Sequence, residues 1–161
     1  MFDRGLSQGR KLMPKQERMI KEDDRAVREG AAILIAEDHA ESRELLRVLL
    51  EGSGYRVLQA EDGLEAVELA KREHPDLILT DLHMPGLNGV EAILRIREIP
   101  ALHDVPILAM SGDGLVGMEL FLNIDRIGGG FIDYIAKPFN LDSILEQINE
   151  LLVHETAPVA R

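Results

Sequence analysis

The chain has 161 residues, 45% of them hydrophobic and 29% charged, with no Trp, two Tyr and four Phe; that suffices for one compact domain with an aliphatic core and is tight for two. Lys and Arg number 18 against 29 Asp and Glu, a formal charge of −11, which repels the phosphates a nucleic-acid binder must neutralise and argues against direct contact with DNA or RNA. The lack of cysteine excludes disulfides, thiolate zinc sites and cysteine nucleophiles; with no spanning-length apolar run and no signal-peptide pattern, a cytoplasmic protein without a membrane partner is expected.

Residues 1–30 hold eight of the basic and six of the acidic residues, which leaves the remainder at −13. They are read as a charged N-terminal extension, flexible or loosely helical from about Pro14 to Arg28. From Ala31 onward short apolar runs alternate with helical periods. Ala32-Ile33-Leu34-Ile35-Ala36 predicts a strand buried on both faces, and Leu45, Leu46, Leu49 and Leu50 mark one face of a helix that stops near Gly52 and Gly54. Arg56 to Ala60 is a shorter, more polar strand suited to an edge, and Asp62-Gly63-Leu64-Glu65 is a capping-box signature ahead of a helix with Ala66, Val67 and Ala70 inward.

Pro75 ends that helix, and Leu77-Ile78-Leu79-Thr80 follows as a third strand. Asn88, three residues before Glu91, caps a helix carrying Val90, Ile93 and Leu94. A fourth strand is expected over Val105 to Met110, a fourth helix around Leu115 to Ile127, and a fifth strand from Asp133 to Ala136. Ile144, Leu145, Ile148, Leu151 and Leu152 then form a helical stripe. Five β-α units in series require right-handed crossovers and a parallel sheet covered on both sides, an α/β doubly wound three-layer sandwich. The domain is assigned to 31–154, with 155–161 as a tail.

In such folds ligands bind outside the carboxyl ends of the strands. The residues found there are Glu37 and Asp38 after the first strand, Asp81 after the third, Ser111 after the fourth and Lys137 after the fifth. Three carboxylates brought together repel one another unless a cation neutralises them, and hard oxygen ligands without a His or Cys cluster point to Mg²⁺ or Mn²⁺. Asp81, closing a buried strand, is the candidate nucleophile: a carboxylate accepts a phosphoryl group as an acyl phosphate. The metal, the Lys137 ammonium and the Ser111 hydroxyl can then share the three phosphoryl oxygens.

These residues resemble the receiver domain of two-component response regulators, a flavodoxin-like, chemotaxis-regulator fold with five helices and strand order 2-1-3-4-5. The resemblance covers 31 to about 154. It rests on Ile33-Leu34-Ile35-Ala36-Glu37-Asp38, on Asp81-Leu82-His83-Met84-Pro85-Gly86-Leu87-Asn88-Gly89, on Ser111-Gly112 and on Asp133-Tyr134-Ile135-Ala136-Lys137-Pro138-Phe139. It implies that Asp81 is the phospho-acceptor, Asp38 a direct Mg²⁺ ligand, Glu37 a ligand through water and the His83 backbone carbonyl a further ligand. It also implies that Ser111 and Tyr134 form a switch pair and that the Lys137-Pro138 bond is cis. Glu37 stands where Asp is more usual, and 26 positions separate Ser111 from Lys137, about four more than the family's common spacing.

The resemblance implies a switch rather than a turnover enzyme, with self-catalysed, Mg²⁺-dependent phosphotransfer and dephosphorylation. A histidine kinase or histidine phosphotransfer protein donates to Asp81, and the surface of the fourth helix, fifth strand and fifth helix then controls a partner protein, as a monomer or a phosphorylation-dependent dimer. Only seven residues follow the final helix, so a stand-alone receiver is expected. Two other readings compete: a receiver-shaped module that binds without phosphorylation, and an aspartyl phosphatase of the haloacid-dehalogenase type. The second needs an Asp two residues after the nucleophile, where His83 stands here.

Overall fold

A computed structural model describes residues 29–112, 130 and 132–156. The expectations for Pro14–Arg28, for the helix around Leu115–Ile127 and for the end of the C-terminal tail lie outside the described residues. Five parallel strands, β1 (Ala32–Ala36), β2 (Arg56–Ala60), β3 (Leu77–Asp81), β4 (Ile107–Ser111) and β5 (Ile132–Ala136), form one sheet in the order β2-β1-β3-β4-β5. Four α-helices accompany them among the described residues: α1 (Ala40–Gly52), α2 (Gly63–Glu73), α3 (Gly89–Arg97) and a C-terminal helix (Leu141–Thr156). A short 3₁₀ turn at Pro100–Leu102 leads from α3 toward β4.

β1, β3 and β4 are buried along their whole length, as continuous apolar runs in a parallel sheet demand. Successive side chains alternate between two cores. Ile33, Ile35, Leu77, Leu79, Leu108 and Met110 meet Leu46 and Leu50 of α1 and Ile144, Ile148 and Leu151 of the C-terminal helix. Leu34, Ile78, Ile107 and Ala109 meet Ala66, Val67 and Ala70 of α2 and Ala92, Ile93 and Ile96 of α3. β2 lies at one edge with most of its residues partly exposed, as its polar pattern predicts.

Three details differ from the sequence reading. β4 begins at Ile107, not Val105, because Pro106 has no N–H to give the ladder; its carbonyl accepts from Ile78 N at 3.0 Å. Leu45 is 53% exposed and Leu94 40%, since a neighbour one step along a helix turns about 100° away from the buried stripe. The final helix runs on through Thr156, past the expected domain end at 154. Among the described residues no helix is long and apolar enough to cross a membrane.

Candidate functional site

β1 and β3 are hydrogen-bonded neighbours, so the turn after β1 and the last residue of β3 share one point on the carboxyl edge of the sheet. Asp81 closes β3 and is 4% exposed, while Glu37 is fully buried. Lys137 follows β5, 100 positions from Glu37, and its Nζ donates to Glu37 Oε2 at 2.9 Å and to Asp81 Oδ2 at 3.0 Å. Asp81 Oδ1 accepts from His83 N at 2.9 Å. The ammonium therefore bridges two carboxylates in a poorly solvated cleft. Burial works against its charge, but the hydrogen bonds and charges of Glu37 and Asp81 outweigh it and hold the Lys137 pKa above the usual lysine range.

Glu37 Oε1 faces the other way and accepts from His39 N at 3.1 Å, with His39 Nδ1 at 3.2 Å. Arg43 Nη1 donates to the Glu37 carbonyl at 2.7 Å. The bond to Glu37, followed by the charges of Asp38 and Glu37, raises the His39 pKa. Asp38 Oδ1 is enclosed and has no hydrogen-bond partner; His39 Nδ1 lies 3.3 Å from it, but outside hydrogen-bonding geometry. Glu37, Asp38, His39 and Asp81 each offer one ligand atom, all within 4.8 Å of one another. Three carboxylates against one lysine leave the cleft with excess negative charge and an unsatisfied oxygen, so its donor set fits a hard divalent cation.

Ser111 ends β4 and is 1% exposed. Its carbonyl accepts from Lys137 N at 2.8 Å and from the half-buried Tyr134 hydroxyl at 3.4 Å. The Lys137-Pro138 bond is cis. All seven expected site residues, Glu37, Asp38, Asp81, His83, Ser111, Tyr134 and Lys137, thus lie at or beside the carboxyl edge of the sheet. Backbone packing holds the end of β3: Gly89 N donates to Leu82 O at 3.2 Å, and a Cβ at Gly89 would lie 2.1 Å from Asp81 O.

The response regulator receiver domain family matches residues 33–149. The chain belongs to this family. It is similar to the polar-differentiation response regulator DivK of Brucella ovis, 34% identical over 122 residues that cover 75% of this chain and 95% of that protein. Among solved structures it is similar to the receiver domain of sensor histidine kinase PA1611 from Pseudomonas aeruginosa PAO1, which has a magnesium ion coordinated in its active site cleft. There the identity is 32% and the TM-score 0.67, with 77% of this chain and 98% of that one covered. The chemotaxis protein CheY4 of Vibrio cholerae is 26% identical at a TM-score of 0.67, covering 76% and 98%. The protein is accordingly a receiver of two-component signalling.

Within this receiver, sequence reasoning assigned no role to His39, Arg43 or the close approach at Gly89. His39 had a signal, its place directly after the acidic pair. Arg43 had none, because its bond to the Glu37 carbonyl depends on the turn of chain between β1 and α1. Gly89 sets the contact between α3 and the end of β3.

Proposed function

We propose that Asp81 accepts a phosphoryl group from a histidine kinase or histidine phosphotransfer protein and that the resulting charge switches this receiver's surface toward a downstream protein. The observation that carries this reading is the Lys137 ammonium seated 3.0 Å from Asp81 Oδ2. A cation so placed meets the charge that builds on an arriving phosphoryl oxygen. An Asp81 oxygen attacks phosphorus, the donor's P–N bond breaks with its electron pair leaving on the imidazole, and an acyl phosphate remains. Lys137 then pairs with one phosphoryl oxygen and the Ser111 hydroxyl donates to another.

Glu37, Asp38, Asp81 and the His83 carbonyl would hold the Mg²⁺ or Mn²⁺ ion, and the magnesium in the PA1611 receiver's cleft supports that assignment. Once bound, the cation supplies neutralisation of the charge that spreads over the phosphoryl oxygens. The Tyr134 hydroxyl already reaches the Ser111 carbonyl, so a shift of Ser111 toward the phosphoryl group is felt by the ring and by the surface of β5. The protein acts as a switch rather than a turnover enzyme, monomeric or dimerising when phosphorylated.

The test is intact-protein mass after incubation with acetyl phosphate and Mg²⁺. A gain of one phosphoryl group, absent in Asp81→Ala and with chelator, is expected. No gain in a folded protein that also forms no beryllofluoride complex would sink the reading in favour of a phosphorylation-independent binding module.

A further inference from the structure

His39 has no part in the assignment above, yet it stands at the rim of the cleft. It is the last residue before α1, and its side chain is 75% exposed while its Nδ1 turns inward to Glu37 Oε1 at 3.2 Å. Its Nδ1 joins one oxygen each from Glu37, Asp38 and Asp81 in a set of four donor atoms within 4.8 Å of one another. Ligands on opposite sides of a six-coordinate divalent ion at about 2.1 Å stand about 4.2 Å apart, so little contraction would bring all four onto one cation. The enclosed Asp38 Oδ1, which accepts no hydrogen bond and faces His39 Nδ1 at 3.3 Å, marks the side from which that cation would be approached.

We propose that His39 is a nitrogen ligand of this cation site, and that it gives this receiver a preference for transition divalent ions over Mg²⁺ beyond what the carboxylates alone confer. Magnesium takes oxygen ligands, whereas imidazole suits Ni²⁺, Zn²⁺, Cu²⁺ and iron. The turn that delivers the imidazole leaves Glu37 served: His39 N still donates to Glu37 Oε1 at 3.1 Å and Lys137 Nζ to Oε2 at 2.9 Å. The inference rests on the cation site proposed above.

Calorimetric titration of the full chain with Mg²⁺ and, separately, Ni²⁺ tests it, on wild type, His39→Ala, His39→Gln and His103→Ala. His103 is an exposed imidazole ahead of β4, away from the cleft. Both His39 variants are expected to bind Mg²⁺ within about twofold of wild type and Ni²⁺ about tenfold more weakly, while His103→Ala leaves both affinities in place. Pulsed EPR of the Mn²⁺-loaded wild type should show an imidazole nitrogen coupling that His39→Gln lacks. Equal losses for Mg²⁺ and Ni²⁺, a Ni²⁺ loss matched by His103→Ala, or an unchanged nitrogen coupling would overturn the assignment while leaving the cation site intact. A wild type that binds neither ion would overturn the site itself.

Discussion

A methyl group at position 89 would have nowhere to go. Its carbon would lie 2.1 Å from Asp81 O and 2.7 Å from Leu82 Cα, so the first turn of α3 rests directly on the backbone that carries Asp81. Gly89→Ala must push the two apart, and we expect a loss of about 3 kcal/mol, at the upper end for overpacking, together with slower phosphorylation; an unchanged urea midpoint contradicts this. Arg97, the last residue of α3, is a second case. It is 4% exposed, Nη1 donates to Leu102 O at 3.0 Å, and Nε and Nη2 have no hydrogen-bond partner. Burial pushes its pKa down to about 10, below the ordinary arginine range, with only Asp104 opposing. A base whose folded value lies below its unfolded value costs stability while charged, and that cost fades as pH rises through the folded value. Arg97→Met should therefore equal or exceed wild type at pH 7 to within about 1 kcal/mol, and wild type should gain on it as pH passes about 10, read by urea denaturation. Asp81 and Lys137 were legible in the sequence because standing at a strand's carboxyl end is a local property. The constraints on Gly89 and Arg97 were not, because both depend on segments that only the fold brings against them.

Helix starts were the most legible elements. Asp62 Oδ1 accepts from Glu65 N at 2.8 Å, Glu65 Oε2 accepts from Glu61 N at 2.8 Å, and Asn88 Oδ1 accepts from Glu91 N at 2.9 Å. The bonds to Glu65 N and Glu91 N satisfy donors that the first helical turn leaves open, and the one from Glu61 N ties the entering chain to the same turn, which is why the four-residue spacing announces them. Asp62→Ala should cost about 1 kcal/mol and Asp62→Ser much less, measured by thermal unfolding; equal losses would mean that the side-chain bond is not what matters. Helix faces were less legible than helix starts. Leu45 and Leu46 are identical in character, and only Leu46, with Leu50 one turn on, reaches the sheet; hydrophobicity alone does not choose between adjacent leucines. Strand starts were blurred for a related reason, since Val105 is buried like a strand residue although Pro106 keeps it out of the ladder.

At the scale of the whole molecule, the strand order does what no local pattern can: the exchange of neighbours around β1 and β3 carries Glu37 and Asp38 to Asp81, and β4 and β5 add Ser111 and Lys137 along the same edge. The resemblance implies that order, whereas right-handed crossovers imply only a parallel sheet covered on both sides, and the contact between Lys137 and Glu37 across 100 positions follows from the order. The same convergence ties global stability to the charge in the cleft. A cation that binds only the folded state adds RT ln(1 + [L]/Kd), about 1.4 kcal/mol at ten times Kd, so Mg²⁺ should raise the unfolding midpoint. Asp38→Asn removes one repelling charge and one ligand together, so it should raise the stability of the metal-free protein and abolish the Mg²⁺ increment. Lys137→Met works in the opposite sense. It strips Glu37 and Asp81 of their shared partner, costing about 2 kcal/mol without metal because two largely buried carboxylates are left facing each other. The larger excess of negative charge should then make the Mg²⁺ increment at a fixed concentration exceed that of wild type. Thermal unfolding of the three proteins across a Mg²⁺ series distinguishes this coupling from independent effects. Parallel Mg²⁺ responses in all three would show that the cation and Lys137 do not share the cleft's charge.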